Sequence, residues 1–172
     1  MKNVAKNILI ILLLMVVFFK LSTYFYKLYD NRNRISAYQE QLATDLSIII
    51  DLSNDVLKYD SVDALKRLCI DFCQIDKVYF LVSPTLQENS RKVGQWENLA
   101  FLIGSFVNWD FSEDSLHLSE EERAFLALIN EENNYLYKKL QIKLSNEQLS
   151  KVLTEHHKQL KLLIDEFDDI VD

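Results

Sequence analysis

Glycine and proline are nearly absent from this sequence. Two Gly and one Pro occur in 172 residues, although these residue types normally mark the turns and interruptions between strands. Aliphatic and aromatic residues make up 49% of the chain. This combination predicts a mostly helical protein with one domain of ordinary size.

Recognisable catalytic and cofactor-binding motifs are also missing. The sequence contains no nucleophile elbow, phosphate-binding loop or dinucleotide fingerprint. Its two cysteines lack the second pair or the histidines of a zinc site, and the Glu-x-x-His pairs of di-iron bundles do not occur. We therefore predict no catalytic residue, no metal site and no bound cofactor, and we expect that the protein is not an enzyme.

Charge is unevenly divided along the chain. Residues 1–34 contain six Lys or Arg and one Asp, whereas residues 35–172 contain thirteen basic and twenty-five acidic residues. An acidic body repels phosphate backbones, and no stripe of basic side chains offsets that repulsion. We therefore expect no nucleic-acid partner.

A hydrophobic segment near the N-terminus predicts a membrane anchor. Residues 8–19 are all apolar, but a helix of this length spans only about 18 Å, short of a hydrocarbon core of about 30 Å. Extending the segment to 4–26 makes it long enough, with Lys20 reaching toward the headgroups and an aromatic belt at the interface: Tyr24, Phe25, Tyr26 and Tyr29. We predict a single transmembrane helix over about 4–26 in an anchor region 1–30, followed by an acidic helical-bundle domain over 31–172.

A cleaved signal peptide is the alternative interpretation of this segment. Lys2 and Lys6 form a positive N-terminal region, and the apolar run has a normal length for the hydrophobic region of a signal peptide. The residues after Phe19 offer no pair of small residues spaced as in an A-x-A cleavage site. We therefore expect the segment to remain in the mature chain as a signal anchor.

Two signals disagree about which side of the membrane holds the domain. More basic residues follow the span than precede it, which favours a cytoplasmic domain by the positive-inside rule. The very short N-terminus with two lysines is instead typical of an export signal that was never cut. We expect a single-pass protein with its N-terminus in the cytoplasm and its domain outside, with a cytoplasmic domain as the alternative.

Apolar residues recur at three- and four-residue steps along most of the remaining chain. The first stripe runs from Ile35 to Leu57, and no breaker separates it from the membrane segment, so we predict one continuous rod. Further stripes predict four helices that begin at or just after these residues: Ser61, Lys92, Ser119 and Ser145. The expected fold class is all-α, an N-terminal transmembrane helix that continues into an antiparallel bundle of about five helices.

Local sequence signals mark the starts of the last two helices. Ser119 is followed by three glutamates, with Glu122 at the position that completes a capping box. Ser145 and Gln148 repeat the pattern. Heptad-like spacing in the first and last bundle helices also suits a coiled-coil contact, within the chain or between copies.

Two groups of side chains are candidates for a functional site. Trp96, Phe106 and Trp109 lie in an aromatic-rich part of the chain and are candidate ligand or interface residues, with core packing as the alternative. Cys69 and Cys73 lie four residues apart on one helical face and are a candidate redox pair, with two buried thiols as the alternative.

Histidines and the acidic tail carry weaker signals. His156 lies on the apolar stripe of the last helix, where a neutral imidazole fits the core, and His157 points too far away to share a metal with it. His117 lies in a predicted loop with too few neighbouring ligands for a metal site. The acidic C-terminal residues lack the spacing of a calcium loop and are expected to face solvent.

Together these features favour a membrane-anchored helical interaction or scaffold protein that binds a protein partner or itself. The anchor over residues 4–26 concentrates the bundle at the membrane. The alternative is a sensory or small-ligand-binding bundle, which would act with a membrane partner because one span and a short tail leave no room for a signalling domain.

Overall fold

A computed structural model describes residues 2–80, 95–107, 111 and 116–171, without the side chains of 2–19, 28, 31, 32, 76–80, 95 and 169–171. The described residues form five helices and no strand, and the remainder are turns and connections. The prediction of an all-helical bundle is confirmed. In chain order the helices are α1 Lys2–Tyr59, α2 Val62–Phe80, α3 Gln95–Ser105, α4 Glu120–Leu140 and α5 Asn146–Val171.

Helix α1 is the centre of the packing. It lies against α2 on one side and α4 on the other, α3 packs on α2, and α5 packs on α4 and touches α3. Side-chain hydrogen bonds show that α1 and α4 run antiparallel, because Gln39 contacts the end of α4 whereas Asn54 contacts Asn130 in its middle. The five helices therefore enclose one core.

The core is made by the helical stripes that the sequence predicts. Each helix contributes fully buried aliphatic or aromatic side chains at three- and four-residue intervals, as expected for amphipathic helices that cover one another. The largest are Leu42, Leu46, Ile49, Leu65, Leu68, Phe72, Ile75, Leu99, Ile103, Leu126, Ile129 and Leu136. The stripe in α1 begins at Tyr38, with Ile35 packed at its edge.

Helix α1 continues without interruption from the hydrophobic N-terminal segment into the bundle. Its 58 residues correspond to a rod of about 87 Å, and the polar residues 31–34 do not break it. Within the part of the chain whose side chains are described, no helix has both the length and the apolar character needed to cross a membrane. Side chains 4–19 of the predicted span lie outside that part.

Both predicted capping boxes are present. The Ser119 hydroxyl accepts a hydrogen bond from the Glu122 N–H at 3.1 Å, and the Glu122 carboxylate accepts one from the Ser119 N–H at 2.7 Å. Ser145 and Gln148 make the same reciprocal pair at 3.2 and 2.9 Å. At the start of α2, the Ser61 hydroxyl accepts from the Ala64 N–H. These bonds satisfy N–H groups that a helix start leaves without partners.

The Ser119→Ala variant is expected to lower the free energy of unfolding by about 1 kcal/mol, because it removes the cap of α4. Chemical denaturation of the purified chain measures this change. Ser119→Asp is the matched control, since aspartate keeps an oxygen that accepts the Glu122 N–H. An equal loss in both variants would show that the cap contributes nothing and that another property of serine matters.

Helix boundaries and one face differ from the sequence prediction. The apolar stripes predict that α3 continues to about Asn108 and α4 to about Lys143, but α3 ends at Ser105 and α4 at Leu140. The apolar spacing of the sequence also predicts Tyr135 on the inner face of α4, but this side chain is 50% exposed, whereas Asn133 is fully buried. The reason is helical phase, because Asn133 continues the core spacing between Ile129 and Leu136, and Tyr135 is rotated about 100° from Leu136.

Candidate functional site

The first predicted aromatic residue, Trp96, is enclosed by the bundle. Its side chain is 2% exposed and lies where α2, α3 and α5 meet. The indole ring stacks on the His156 imidazole with centroids 5.1 Å apart, and it lies 5.6 Å from the Phe72 ring. Trp96 therefore packs against rings from α2 and α5, as an interior residue does.

Phe106 belongs to a second aromatic group. It follows α3 directly and lies 6.2 Å from the Phe125 ring and 5.6 Å from the Phe167 ring. Phe125 and Phe167 are themselves 4.4 Å apart, which joins α4 to α5. Trp109 lies outside the described residues. The two described members of the predicted aromatic site thus belong to different clusters, and both pack against the core.

His156 is a buried and neutral histidine. Burial, with a smaller contribution from His157, lowers the pKa of His156 from 6.5 to about 3, because a charged imidazole would lose its hydration. Its Nε2 atom has no hydrogen-bond partner among the described residues. No group of three or more metal-ligating side chains occurs in the described part of the chain.

The two cysteines occupy adjacent turns of α2. No disulfide joins Cys69 and Cys73, both of which lie in the described part of that helix. Burial raises the pKa of the Cys69 thiol to about 12, and the nearby Cys73 adds to the shift. Since the thiolate is the reactive form, the Cys69 thiol is a poor nucleophile at neutral pH. Cys73 is half-buried and more accessible.

In the folded protein, iodoacetamide at neutral pH is expected to modify Cys73 slowly and Cys69 at a negligible rate. Because both thiols lie in one tryptic peptide, the measurement uses the Cys69→Ala and Cys73→Ala variants, with intact mass followed over time. The two variants should react equally in denaturant. Faster modification of Cys69 than of Cys73 in the folded state would contradict this expectation and would favour the predicted redox role.

The segment of α1 that leads into the bundle is exposed. From Lys20 to Arg34, every side chain that the structure describes is exposed except Asp30, which forms an ion pair with Arg34 at 3.1 Å. The exposed apolar and aromatic side chains are Leu21, Tyr24, Phe25, Tyr26 and Tyr29. An unpacked helical segment with this many exposed rings is unusual for a protein surface in water.

Gln39 of α1 makes hydrogen bonds to the end of α4 and to the loop that follows it. Its Nε2 donates to the carbonyl oxygens of Leu140 at 2.7 Å and Ile142 at 2.6 Å, and its Oε1 accepts from the Leu144 N–H at 3.2 Å. The bond to Leu140 satisfies a carbonyl that the end of α4 leaves without a helical partner, and the bonds to Ile142 and Leu144 hold the loop that follows. No motif in the sequence singles out Gln39. A glutamine beside an apolar stripe was the only signal available.

A groove lies beside this contact, between α1 and α4. Its volume is ≈ 620 Å³. Small and polar side chains line much of it, including Ser36, Ala43 and Ser47 from α1, with Tyr137 and Lys143 on the opposite side. This groove opens at the end of the bundle from which the exposed segment of α1 projects.

A second, smaller groove separates α1 from α2. It has a volume of ≈ 210 Å³ and contains the carboxyl groups of Asp45 and Asp71. Burial raises the pKa of Asp71, Arg67 lowers it, and the Asp45 charge raises it. Two carboxyl groups without a third ligand fall short of a metal site.

The loop between α4 and α5, residues 141–145, presents an apolar side chain to solvent. Ile142 is 66% exposed. Lys138 and Lys139 end α4, and Lys143 follows Ile142, all three with exposed side chains. The α4–α5 loop and the last turn of α4 together therefore present one exposed apolar side chain and three cationic side chains.

Comparison of the chain with protein family models, with curated proteins and with solved structures finds no match.

Proposed function

We propose that this protein is a membrane-anchored helical interaction protein. The N-terminal part of α1 would span the membrane over about residues 4–26, and the bundle that begins near Ile35 would bind a protein partner or a second copy. The observation that carries this proposal is the continuity of α1, because one helix contains both the hydrophobic segment and the central stripe of the bundle core.

The exposed segment of α1 supports the membrane part of the proposal. Tyr24, Phe25, Tyr26 and Tyr29 would lie at the headgroup level, where aromatic side chains are enriched. Lys20 would extend toward the nearest headgroups, as long cationic side chains do near the ends of a span. In water, the same rings would remain exposed, and no contact would offset the unfavourable free energy of their hydration.

The interaction part of the proposal is supported by the distribution of side chains on the bundle. Trp96 is buried and the partly buried Phe106 packs against the core, so the surface rather than an interior site is available to a partner. Exposed apolar side chains occur on several helices, including Ile70, Phe101, Leu128 and Leu162. A membrane tether raises the local concentration of such surfaces and so favours weak contacts between neighbouring molecules.

Membrane association can be tested with the Leu13→Arg, Val16→Arg double variant. Each arginine near the middle of a span costs about 2.5–3.5 kcal/mol of insertion free energy, so the variant is expected to leave the membrane on alkaline extraction, whereas the unmodified chain stays. Leu128→Arg, on the bundle surface, is the matched control and should stay. Release of the unmodified chain without detergent would overturn the anchor.

The side of the membrane is a separate question. We propose that the N-terminus is cytoplasmic and the bundle lies outside, with a cytoplasmic bundle as the alternative. A C-terminal reporter that is active only in the cytosol is expected to remain inactive, and a reporter active only outside should be active. The reverse result would establish the alternative orientation.

A sensory or ligand-binding role is the second candidate. The groove of ≈ 620 Å³ between α1 and α4 favours it, because a ligand there would contact the helix that continues toward the membrane. Replacing Ala43 with Trp would fill the groove. If such a variant kept partner binding but lost a response to a small polar molecule, the sensory function would replace the scaffold function.

A further inference from the structure

The order of the helices brings the α4–α5 loop to the end of the bundle that faces the anchor. Helix α4 runs antiparallel to α1, so its C-terminus lies beside the first bundle residues of α1. The three hydrogen bonds from Gln39 to Leu140, Ile142 and Leu144 fix this placement. Gln39 is ten residues beyond Tyr29, which corresponds to about 15 Å along the helix.

The α4–α5 loop has the composition of a peptide that meets a charged lipid surface. Ile142 is exposed in this loop and Lys143 follows it, while Lys138 and Lys139 lie in the last turn of α4, with Lys139 Nζ 5.1 Å from the centre of the Tyr135 ring. The ion pairs found in the described part of the chain join other residues. Glu40 and Glu147 lie at the same end of the bundle. The positive charge is therefore confined to the surroundings of the loop and does not extend over that whole end.

The opposite end of the bundle has the opposite charge. Exposed carboxylates lie at the start of α4 and near the end of α5, including Glu120, Glu121, Glu166 and Asp168, while Asp165 forms an ion pair with Lys161. An anionic bilayer would therefore attract the end of the bundle nearest the anchor and repel the far end. Such a polarity would orient the bundle relative to an anionic bilayer.

We propose that the α4–α5 loop binds anionic lipid headgroups in the leaflet that faces the bundle, whichever side of the membrane that is. The inference rests on the proposed function, because the anchor supplies the proximity. A helix tilt of about 20° is typical of membrane spans, and tilting toward α4 lowers the loop toward the headgroups. At an interaxial distance of about 10 Å this tilt lowers the loop by about 3 Å, and the extended lysine side chains then bring their charges within about one Debye length, 8–10 Å, of the phosphate groups.

The experiment uses the full chain in vesicles, with a photo-crosslinking benzoylphenylalanine in place of Ile142. Vesicles contain either phosphatidylcholine alone or phosphatidylcholine mixed with phosphatidylglycerol. Lipid adducts at position 142 are expected to increase by on the order of fivefold or more in the phosphatidylglycerol vesicles. The matched control places the same probe at Leu128, an exposed position on α4 about 21 Å farther from the anchor end, where adducts should remain at background.

Neutralising the loop gives a second measurement. The Lys138→Gln, Lys139→Gln, Lys143→Gln variant is expected to reduce adducts at position 142 to the phosphatidylcholine level, and moderate salt should do the same to the unmodified loop. Flotation of each variant with vesicles shows whether it remains anchored.

The outcomes separate this inference from the proposed function. A chain that floats with vesicles but gives equal adducts at 142 and 128, or equal adducts in both lipid mixtures, keeps its anchor and overturns the lipid contact of the loop. Adducts at 142 to protein instead of lipid would also overturn it, in favour of a protein partner at this loop. A chain that does not float at all would remove the anchor, and the inference with it.

Discussion

Replacing His156 with phenylalanine is expected to remove a large part of the acid sensitivity of the fold. The pKa of His156 is about 3 in the folded protein against 6.5 ordinarily, so between these values the unfolded chain binds a proton that the folded chain excludes. Stability is therefore complete above pH 6.5 and is lost as the pH falls, by about 1.4 kcal/mol per pH unit. At pH 4 this one group costs about 3 kcal/mol.

Phenylalanine keeps a planar ring against Trp96 but cannot be protonated. Denaturation of the purified chain at pH 7 and pH 4 should show a much smaller loss of stability in His156→Phe than in the unmodified protein. His117→Gln, at an exposed position, is the control and should lose stability like the unmodified protein. Parallel losses in all three would mean that His156 accepts a proton without unfolding.

The parts of the fold that the sequence predicts well depend on neighbours in the chain. The Ser119–Glu122 and Ser145–Gln148 boxes are each contained in four residues, so the sequence holds all the information they need. The apolar stripe of α1 and the burial of His156 follow from helical periodicity in the same way. The continuity of α1 was predictable because no glycine or proline interrupts it.

The parts that the sequence does not predict depend on contacts between distant residues. Gln39 binds backbone groups more than a hundred positions later in the chain, and no local sequence pattern predicts such a partner. The predicted site Trp96, Phe106 and Trp109 assumed that residues close in sequence share a cluster. The described pair instead divides between two, because Trp96 faces Phe72 and His156 whereas Phe106 faces α4 and the end of α5.

The sequence alone also does not predict the groove or the position of the α4–α5 loop in the bundle. A loop of residues 141–145 with lysines near it is ordinary in a helical protein, and its composition alone indicates only solvent exposure. Its meaning comes from placement, since the antiparallel register brings it to the end of the bundle where α1 projects. The charges around the loop therefore indicate a function only together with the order of the helices.

Replacing Asn133 with leucine is expected to stabilise the protein by about 1–3 kcal/mol. Asn133 is fully buried, and neither atom of its amide has a hydrogen-bond partner among the described residues. It occupies a core position between Ile129 and Leu136, where the register of α4 places it opposite the turn of α1 around Ile49. Leucine has the same branching as asparagine and loses no hydration on burial.

Denaturation of the full chain measures the change, and Asn134→Leu is the matched control. Asn134 is the next residue, is half-buried, and should change stability little when replaced. A loss of stability in Asn133→Leu that the control does not share would contradict the expectation, because it would mean that the amide makes favourable contacts in solution.

The physical reason to keep asparagine at this position is specificity rather than stability. A single polar residue in an apolar helical seam penalises alternative registers and alternative pairings, including pairing between copies. The Asn130 side chain, one turn earlier, donates a hydrogen bond to Asn54 of α1 at 2.8 Å. This bond fixes the level along α1 at which the polar positions of α4 lie. We therefore expect Asn133→Leu to increase self-association along with stability, measured by sedimentation in detergent. A more stable variant with unchanged association would assign Asn133 no role in pairing.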